Sequence, residues 1–339
     1  MDFITITDIA RIAGVSKTTV SRVLNNPSIV DSSTCRKVEK VIEDFHYVPS
    51  AAARSLSKSS STTIGAVVAD IANPFLSELL KGILKICHKE GYTLICSDNS
   101  DNMENDFRAL NTMKEQRVAG LIYAPAVDYS YYSKTEQLKR MIKDLHAPVV
   151  LVDRKVCWDE IPFDGVFFND YEAIKESVRT LAAHGHKRIA LINSNEKNVL
   201  TDNRLKGYLD GLHESGLETD RELVYANGTY TIESSYKQTC EMLCSKNIPT
   251  AVITCNNHLS QGFLKAVYES KVDEAKHICF IGLDSLEMMG ILGIKYNYID
   301  RDSFLMGQKA AEQLFRRIQQ PFDERYELVL DAPLILQTF

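Results

Sequence analysis

Strand-like and helix-like segments alternate along this chain from residue 62 onward. Continuous apolar runs such as 64–69, 149–152 and 189–192 are typical of strands that are buried on both faces. Helical patterns lie between them, and this alternation predicts parallel sheets covered by helices on both faces. There are enough predicted strands for two such sheets, so we expect an α/β fold.

The predicted elements are as follows. The strands cover residues 64–69, 93–96, 121–123, 149–152, 165–168, 189–192, 251–253 and 278–281. The helices cover residues 75–90, 101–116, 136–145, 170–184, 202–214, 233–245 and 258–269.

The formal net charge of the 339-residue chain is −6, which by itself argues against a nucleic-acid binder. The charge is unevenly distributed, however. Residues 1–60 contain eight Lys or Arg and six Asp or Glu, a charge of +2, and the remainder carries −8. A mildly basic head on an acidic body is typical of a small DNA-reading module carried by a larger domain.

Composition and motifs exclude several classes of protein. With 45% hydrophobic and 25% charged residues, the chain is not disordered over most of its length. It has no apolar run approaching the ~18 residues that span a bilayer, and its N-terminus does not resemble a secretory signal. The eight cysteines are scattered without a Cys-x-x-Cys pair, which indicates reduced thiols in a cytosolic protein with no membrane partner.

Motifs of an enzyme are missing from the sequence. There is no P-loop, no Gly-x-Ser-x-Gly and no His-Glu-x-x-His. His184 and His186 lie in a turn before a strand, and no third ligand has metal-site spacing. We therefore expect no catalytic residues, no metal and no cofactor.

The first sixty residues contain three helical patterns. Thr5 and Asp8 have the spacing of a capping box, and Gly14 breaks the first helix. Ser16 can cap a second helix that runs to about Asn25, and a third runs over 32–46. A helix, a glycine turn, a second helix and a supporting helix form the plan of a helix-turn-helix module.

The second of these helices has a polar outward face that fits the major groove of DNA. Arg and Lys side chains can read guanine edges there, and hydroxyls can hold phosphates. An ordinary helical bundle with a solvated polar face is the alternative interpretation, and spacing alone leaves both open. The residues of this face are Ser16, Lys17, Thr18, Thr19, Ser21, Arg22 and Asn25.

A short helix and a linker are predicted next. Pro49 and Ser50 can begin a helix, and the alanines at 51–53 favour its continuation. About two turns of helix are too few to be stable alone in water. We expect this segment to fold only on contact with a partner, and the Ser/Thr-rich stretch 57–63 to be a linker.

The head resembles that of LacI/GalR-type transcription regulators. The similarity rests on Thr5-x-x-Asp8-Ile9-Ala10-x-x-Ala13-Gly14-Val15-Ser16-x-x-Thr19-Val20-Ser21-Arg22-Val23-Leu24-Asn25, followed by Tyr47-x-Pro49-x-x-x-Ala53-Arg54-Ser55-Leu56, which is similar to the family's hinge helix. The resemblance implies a homodimer whose hinge helices order on operator DNA. Leu56 would enter the minor groove and kink the duplex, and Ala53 of the same hinge helix is also predicted to contact DNA. The resemblance also implies that Lys17, Thr18 and Arg22 read bases, and that Ser16, Thr19, Ser21 and Asn25 contact phosphates or support the helix.

The body resembles the effector domain of the same family, which is similar to periplasmic sugar-binding proteins. The motifs are Asp70-Ile71-x-Asn73-Pro74-Phe75, Gly185-His186-Lys187-Arg188-Ile189-Ala190, Arg204-x-x-Gly207-Tyr208 and Gly282-Leu283-Asp284. The resemblance implies two lobes, a ligand in the cleft and three crossings between the lobes, which we expect near Phe163, Ser285 and Pro321.

The domain organisation follows from these features. Residues 1–48 are predicted to form the DNA-binding domain, 49–61 the hinge helix and linker, and 62–339 the effector-binding and dimerisation domain. Within the last, we expect lobe 1 to cover about 62–163 and 286–320, and lobe 2 about 164–285 and 321–339.

Candidate effector residues follow the predicted strands, where open α/β sheets bind ligands. A polyol needs planar bidentate partners and flat apolar faces. Arg204, Asp284 and Asn256 can supply the partners, and Phe75 and Tyr230 the faces. The resemblance implies effector contact for Arg204 and Asp284. Two further candidates have alternative roles, since Asn73 can cap a helix and Asp153-Arg154 can form a surface or interlobe ion pair.

Three classes of function remain open at this point. The first is a repressor of a carbohydrate catabolic operon, controlled by a small sugar or sugar acid. The second is a DNA-binding regulator controlled by a protein, such as a phosphorylated carrier protein. The third is a sugar-binding or enzymatic α/β protein whose head is incidental. The sequence favours the first.

Overall fold

The computed structural model describes residues 4–47, 61–129, 134–156 and 163–338. The chain divides into two compact units, residues 1–61 and 62–339. Among the described residues, no helix has the length and apolarity needed to cross a membrane.

The first unit contains three helices: α1 (Ile6–Ala13), α2 (Lys17–Asn25) and α3 (Ser32–Asp44). The predicted capping box is confirmed, because the Asp8 amide donates to the Thr5 hydroxyl at 3.4 Å and the Thr5 amide donates to the Asp8 carboxylate at 3.0 Å. Gly14 has φ 68°, a left-handed conformation that glycine adopts without strain, and it ends α1. The side chains of Ile9, Val20 and Val38, one from each helix, form the centre of the core.

The second unit contains two six-stranded sheets. Its strands are β1 (Thr63–Val68), β2 (Thr93–Asp98), β3 (Gly120–Tyr123), β4 (Val149–Val152), β5 (Asp164–Phe168), β6 (Ile189–Ile192), β7 (Val224–Tyr225), β8 (Ala251–Thr254), β9 (Cys279–Leu283), β10 (Asn297–Ile299), β11 (Glu327–Leu330) and β12 (Leu334–Ile335). The first sheet has the order β11-β5-β4-β3-β1-β2, and the second has the order β12-β10-β9-β8-β6-β7. All neighbouring strands are parallel except β12, which pairs antiparallel with β10. The predicted parallel α/β fold is confirmed.

Helices cover both sheets. They are α4 (Pro74–Lys89), α5 (Met103–Glu115), α6 (Thr135–Asp144), α7 (Asp170–Ala183), α8 (Val199–Glu214), α9 (Ile232–Leu243), α10 (Asn257–Glu269), α11 (Glu287–Ile291) and α12 (Ser303–Gln319). The predicted elements stop at residue 281, whereas the structure continues with α11, β10, α12, β11 and β12. The sequence contains a signal for α12, because Asp302 caps it by accepting from the Leu305 amide at 2.8 Å.

We call the first sheet with its helices lobe 1, and the second sheet with its helices lobe 2. The strand pairing corrects the three predicted crossings. β5 and β11 belong to the first sheet and β10 belongs to the second, so the chain crosses after Phe168, after Ile299 and between Leu330 and Leu334. All three crossings lie later than the predicted positions near Phe163, Ser285 and Pro321. An apolar strand pattern reports burial and does not report which sheet the strand joins.

Helix α4 packs against α12 in lobe 1 through two glycines. A Cβ atom at Gly307 would lie 2.0 Å from the Leu79 carbonyl oxygen, and one at Gly82 would lie 2.1 Å from the Phe304 carbonyl oxygen. The two backbones are therefore in direct contact, and any larger side chain at either position would separate the helices.

Candidate functional site

The polar face of α2 is accessible in the first unit. Lys17, Thr18 and Arg22 are exposed, and their side chains form no ion pair or hydrogen bond with another described residue. Major-groove readers need side chains that are free to bond to base edges. The structure therefore leaves these three donors available for an external partner.

The other residues of this face contribute to the helix itself. Ser16 caps α2 by accepting from the Thr19 amide at 3.1 Å, and the two hydroxyls lie 2.9 Å apart. The Asn25 amide donates to the Ser21 carbonyl oxygen at 2.9 Å. These contacts agree with a supporting role beside the three free donors. The hinge residues Ala53 and Leu56 lie outside the described residues.

All seven residues predicted to bind an effector line one cavity between the lobes of the second unit, which we call the inner cavity. They are Asn73, Phe75, Arg154, Arg204, Tyr230, Asn256 and Asp284. The cavity follows the carboxyl ends of β1, β4, β8 and β9, where ligands of parallel sheets bind. Its volume is only about 70 Å³.

Arg301 occupies the centre of this site, although the sequence analysis did not identify it. It follows β10, where the chain crosses from lobe 2 to lobe 1, and its side chain is only 3% exposed. Its Nε and Nη2 donate to the two Asp284 carboxylate oxygens, each at 2.7 Å. Its Nη1 lies 3.4 Å from carboxylate oxygens of Asp153 and of Asp170. Arg301 thus joins carboxylates from both lobes.

Asp170, the first residue of α7, was also missed. It accepts from Arg204 Nε at 2.8 Å and Nη2 at 2.7 Å. Burial alone would raise the pKa of Asp170, but Arg301 and Arg204 outweigh burial and hold this pKa below its ordinary value. The carboxylate is therefore ionised. Its Oδ1 is buried and has no hydrogen-bond partner among the described residues.

Aromatic rings lie under the two arginines. The guanidinium carbon of Arg301 lies 4.2 Å from the centroid of the Phe75 ring, and that of Arg204 lies 5.5 Å from the Tyr230 ring. Both distances are within the range of cation–π attraction. The Tyr230 hydroxyl also donates to Asn193 at 2.9 Å. The two faces predicted for a sugar ring are thus in contact with arginines of the chain.

The two asparagines among the predicted residues cap helices. Asn73 accepts from the Phe75 amide at 3.0 Å at the start of α4, and Asn256 accepts from the Leu259 amide at 2.7 Å at the start of α10. The capping alternative for Asn73 is therefore what the structure shows. Its side-chain amide also bonds to Asn257 across the cleft, so it has a second contact that the sequence did not indicate.

Strained backbone occurs at two of the cleft carboxylates. Asp153 and Asp284 have φ 61° and 72°, a left-handed conformation that is uncommon outside glycine. Both directly follow a strand, β4 and β9. Such strain concentrates at ligand sites, where surrounding contacts hold the residue in place.

Arg154 bonds within lobe 1. Its Nη1 donates to Asp101 at 2.5 Å and to the Ala126 carbonyl oxygen at 2.9 Å. The sequence left open a surface or interlobe ion pair for Arg154, whereas the observed pair joins two residues of lobe 1 and the Arg154 side chain is only 11% exposed. Its Nε is buried and has no hydrogen-bond partner among the described residues, so a donor remains for a ligand.

The buried Asp106 carboxylate fixes the loop after β3, whose Ala126 carbonyl oxygen accepts from Arg154. Asp106 is fully buried, and burial raises its pKa although four hydrogen bonds to the carboxylate oppose that shift. The donors, at 2.7 to 2.9 Å, are Asn99, Tyr123, Ala126 and Tyr129. Ala126 and Tyr129 both lie in the segment that follows β3. Their hydrogen bonds to Asp106 therefore position the Ala126 carbonyl that Arg154 contacts.

A second cavity of about 430 Å³ opens beside the inner one and shares Asp101 and Tyr230 with it. We call it the outer cavity. Its polar lining includes Ser100, Glu196, Lys197, Asn198, Thr229 and Thr231. Burial raises the pKa of Glu196, Asp101 adds to this, and Arg154 opposes it. The outer cavity is therefore lined by hydroxyl, amide and carboxylate groups from both lobes.

A larger cavity lies away from these residues, at the amino ends of β3, β4 and β5. Its volume is about 760 Å³, and it is lined by Pro148, Phe163, Arg317 and Phe322 among others. It contains none of the predicted effector residues. We place the candidate site at the carboxyl ends of the strands, because ligands of parallel sheets bind there and because all seven predicted effector residues line the inner cavity. The described residues contain no group of His, Cys, Asp or Glu that could hold a metal ion.

Comparison with known proteins covers almost the whole chain. Residues 61–335 match the family model described as periplasmic binding proteins and sugar binding domain of LacI family. Residues 5–50 match the model described as bacterial regulatory proteins, lacI family.

Individual relatives align over the full length. The chain is 29% identical over 337 residues to the ribose operon repressor of Escherichia coli (strain K12), covering 98% of each chain. It is 27% identical over 335 residues to the HTH-type transcriptional repressor PurR of Pasteurella multocida (strain Pm70), covering 98% of this chain and 97% of that protein. The crystal structure of the Lac repressor dimer bound to operator and the anti-inducer ONPF matches with a TM-score of 0.80 at 26% identity, covering 99% and 98% of the two chains.

Proposed function

The chain belongs to the LacI family of bacterial regulatory proteins, and on this basis we propose that it represses a carbohydrate catabolic operon under the control of a small effector. As a member of this family it is a DNA-binding transcriptional regulator and not an enzyme. The operator, the effector and the homodimer are parts of the proposal.

The DNA-binding part of the proposal is supported by the exposed polar face of α2. Lys17, Thr18 and Arg22 present cationic and hydroxyl donors with no partner among the described residues. Lys and Arg reach guanine O6 and N7 in the major groove, and hydroxyls reach phosphates or bases. Two copies of this module in a homodimer would read a pseudopalindromic operator.

The effector part is supported by the cleft of the second unit. Guanidinium groups paired with carboxylates lie over aromatic rings at the carboxyl ends of the strands, and the buried Arg154 Nε in this lining has no hydrogen-bond partner among the described residues. Polyhydroxy compounds both donate and accept hydrogen bonds and have flat apolar faces, so they suit this lining. A ligand that binds one cleft state better than the other would shift operator affinity.

Selection from a random double-stranded DNA library tests the first part. We expect enrichment of a pseudopalindromic sequence whose affinity falls steeply with salt, because phosphate contacts release counterions. The variant L56S should bind this sequence more weakly while it keeps its fold. No enrichment would contradict the DNA-binding proposal, and unchanged affinity of L56S would contradict the hinge model.

A thermal-shift screen against sugars, sugar acids and sugar phosphates tests the second part. A ligand at about 100 times its Kd should add about 2.7 kcal/mol to the unfolding free energy. A shift by one class identifies the effector chemistry. If no sugar shifts the protein while a phosphorylated carrier protein changes operator release, control by a protein partner replaces control by a sugar.

A further inference from the structure

We infer that Arg301 is an internal ligand of the cleft: its side chain fills the inner subsite, and the effector is therefore held in the outer cavity. This inference rests on the proposed function, since it takes the cleft as the effector site. It assigns to Arg301 the role of a specificity-determining residue that excludes ligands from the inner subsite.

The contacts of Arg301 are those expected of a bound ligand. All three nitrogens of its guanidinium group bond to cleft carboxylates, two to Asp284 at 2.7 Å and one at 3.4 Å from both Asp153 and Asp170. A guanidinium group is planar and has five donors, and it pairs bidentately with carboxylates. The group thus satisfies the acceptors that would otherwise bind the hydroxyls of a sugar.

Arg301 also covers the aromatic face of the inner subsite. Its guanidinium carbon lies 4.2 Å from the Phe75 ring centroid and 5.6 Å from the Phe168 ring centroid. A sugar ring would need the same position to stack on Phe75. Ring and guanidinium cannot both occupy it, so the chain and a ligand compete for one face.

The remaining space supports this assignment. The inner cavity measures about 70 Å³, while small-molecule sites are usually ~300–1,000 Å³ and a water molecule takes ~30 Å³. The inner cavity is therefore large enough for water but not for a sugar. The outer cavity, at about 430 Å³, is within the range of a ligand site.

The lining of the outer cavity indicates the class of ligand. Asp101 and Glu196 contribute carboxylates, Lys197 contributes an ammonium group, and Ser100, Thr229 and Thr231 contribute hydroxyls. Arg154, which lines the inner cavity, is already paired with Asp101. An added carboxylate or phosphate would meet two acidic groups and only one ammonium group, that of Lys197, while the charge of the neighbouring Arg154 is already compensated. A neutral polyhydroxy compound fits this lining better than a sugar acid does.

The experiment compares sugar binding by the wild type, R301A and the control R317A. Arg317 pairs with Asp164 at 2.7 and 2.9 Å in the same unit but lines neither cleft cavity, so it controls for loss of a buried bidentate pair. Titration calorimetry uses a panel of neutral pentoses and hexoses. We expect R301A to bind at least one of them about tenfold or more tighter than the wild type, and R317A to match the wild type.

A second variant keeps the test decisive if R301A does not fold. R301Q keeps an amide donor for Asp284 and leaves every cleft carboxylate in place, while its shorter, uncharged side chain no longer covers the Phe75 ring. It should show the same gain in sugar binding. Arg301 is not an internal ligand if the variants fold but bind no sugar more tightly than the wild type does. The same conclusion follows if R301A no longer binds a sugar that the wild type binds. Operator binding by the same proteins is measured separately, so failure of this inference is distinguished from failure of the proposed DNA-binding function.

Discussion

Asn73 and Asn257 exchange two side-chain hydrogen bonds across the cleft. The Asn73 amide nitrogen donates to the Asn257 oxygen at 3.1 Å, and the Asn257 nitrogen donates to the Asn73 oxygen at 2.8 Å. Asn73 caps α4 in lobe 1, and Asn257 is the first residue of α10 in lobe 2. The pair therefore connects the starts of two helices that belong to different lobes.

A double-mutant cycle on this pair should give a positive coupling energy. N73A and N257A each remove both hydrogen bonds, so the double variant loses less than the sum of the single losses. We expect about 0.5–1.5 kcal/mol of coupling, measured by urea unfolding. The control cycle pairs N73A with N256A, whose side chain caps α10 and makes no bond to Asn73. A coupling no larger than that of the control would contradict a direct link.

Replacing Arg22 should weaken operator binding without changing the fold. R22A loses a donor expected to read a base, which costs about 1–3 kcal/mol, or roughly 5- to 150-fold in Kd. Fluorescence anisotropy on the selected operator measures this, and circular dichroism should be unchanged because the side chain is exposed. The exposed Lys40 on α3 provides the control K40A. An equal effect of both variants would argue against a specific role for Arg22.

Alanine at Gly307 should destabilise lobe 1. The added Cβ would lie 2.0 Å from the Leu79 carbonyl oxygen, so α12 and α4 must separate, at about 1–3 kcal/mol or more. The matched change is G290A in α11, where a Cβ meets no atom within 4 Å, and it should be neutral or slightly stabilising. Urea unfolding distinguishes the two variants. Similar midpoints for both would show that the helices tolerate separation.

The stability of the protein should depend on Asp170 at acid pH. The pKa of this carboxyl is held below its ordinary value of 3.8 in the folded state, despite burial, by Arg301 and Arg204. The stabilisation is therefore present above pH ~4 and is lost as the pH falls toward the lower, folded-state pKa. Urea unfolding between pH 3 and pH 7 should show a shallower pH dependence for D170N than for the wild type.

D170N should also be less stable at neutral pH, because it leaves two buried guanidinium groups without this counter-charge. The control is D273N, since Asp273 lies at 91% exposure in a surface pair. If the pH dependence of the unfolding free energy is the same in D170N as in the wild type, or changes equally in D273N, another group governs the loss of stability at acid pH.

Local features were predictable because short-range geometry determines them. The capping box of Thr5 and Asp8, the left-handed Gly14 and the cap at Ser16 each involve residues within one or two helical turns. The apolar strand runs were equally readable, since burial on both faces requires uninterrupted apolar residues. The parallel α/β class and the positions of most elements followed from these patterns.

The lobe crossings and the centre of the candidate site depended on the tertiary structure. Arg301 and Asp170 are 131 residues apart in sequence, and they meet because both follow a crossing between the lobes. No local pattern marks such a pair, and β10, the three-residue strand before Arg301, is too short to give a periodic signal.

The sequence by itself determined which residues carry suitable chemistry, since all seven predicted effector residues line one cavity. Only the tertiary structure decided how those groups are used. Arg301 bonds to Asp284 and lies over Phe75, while Arg204 bonds to Asp170. The physical reason is that a buried charge must find an opposite charge nearby, and the sheet topology sets which partners are within reach.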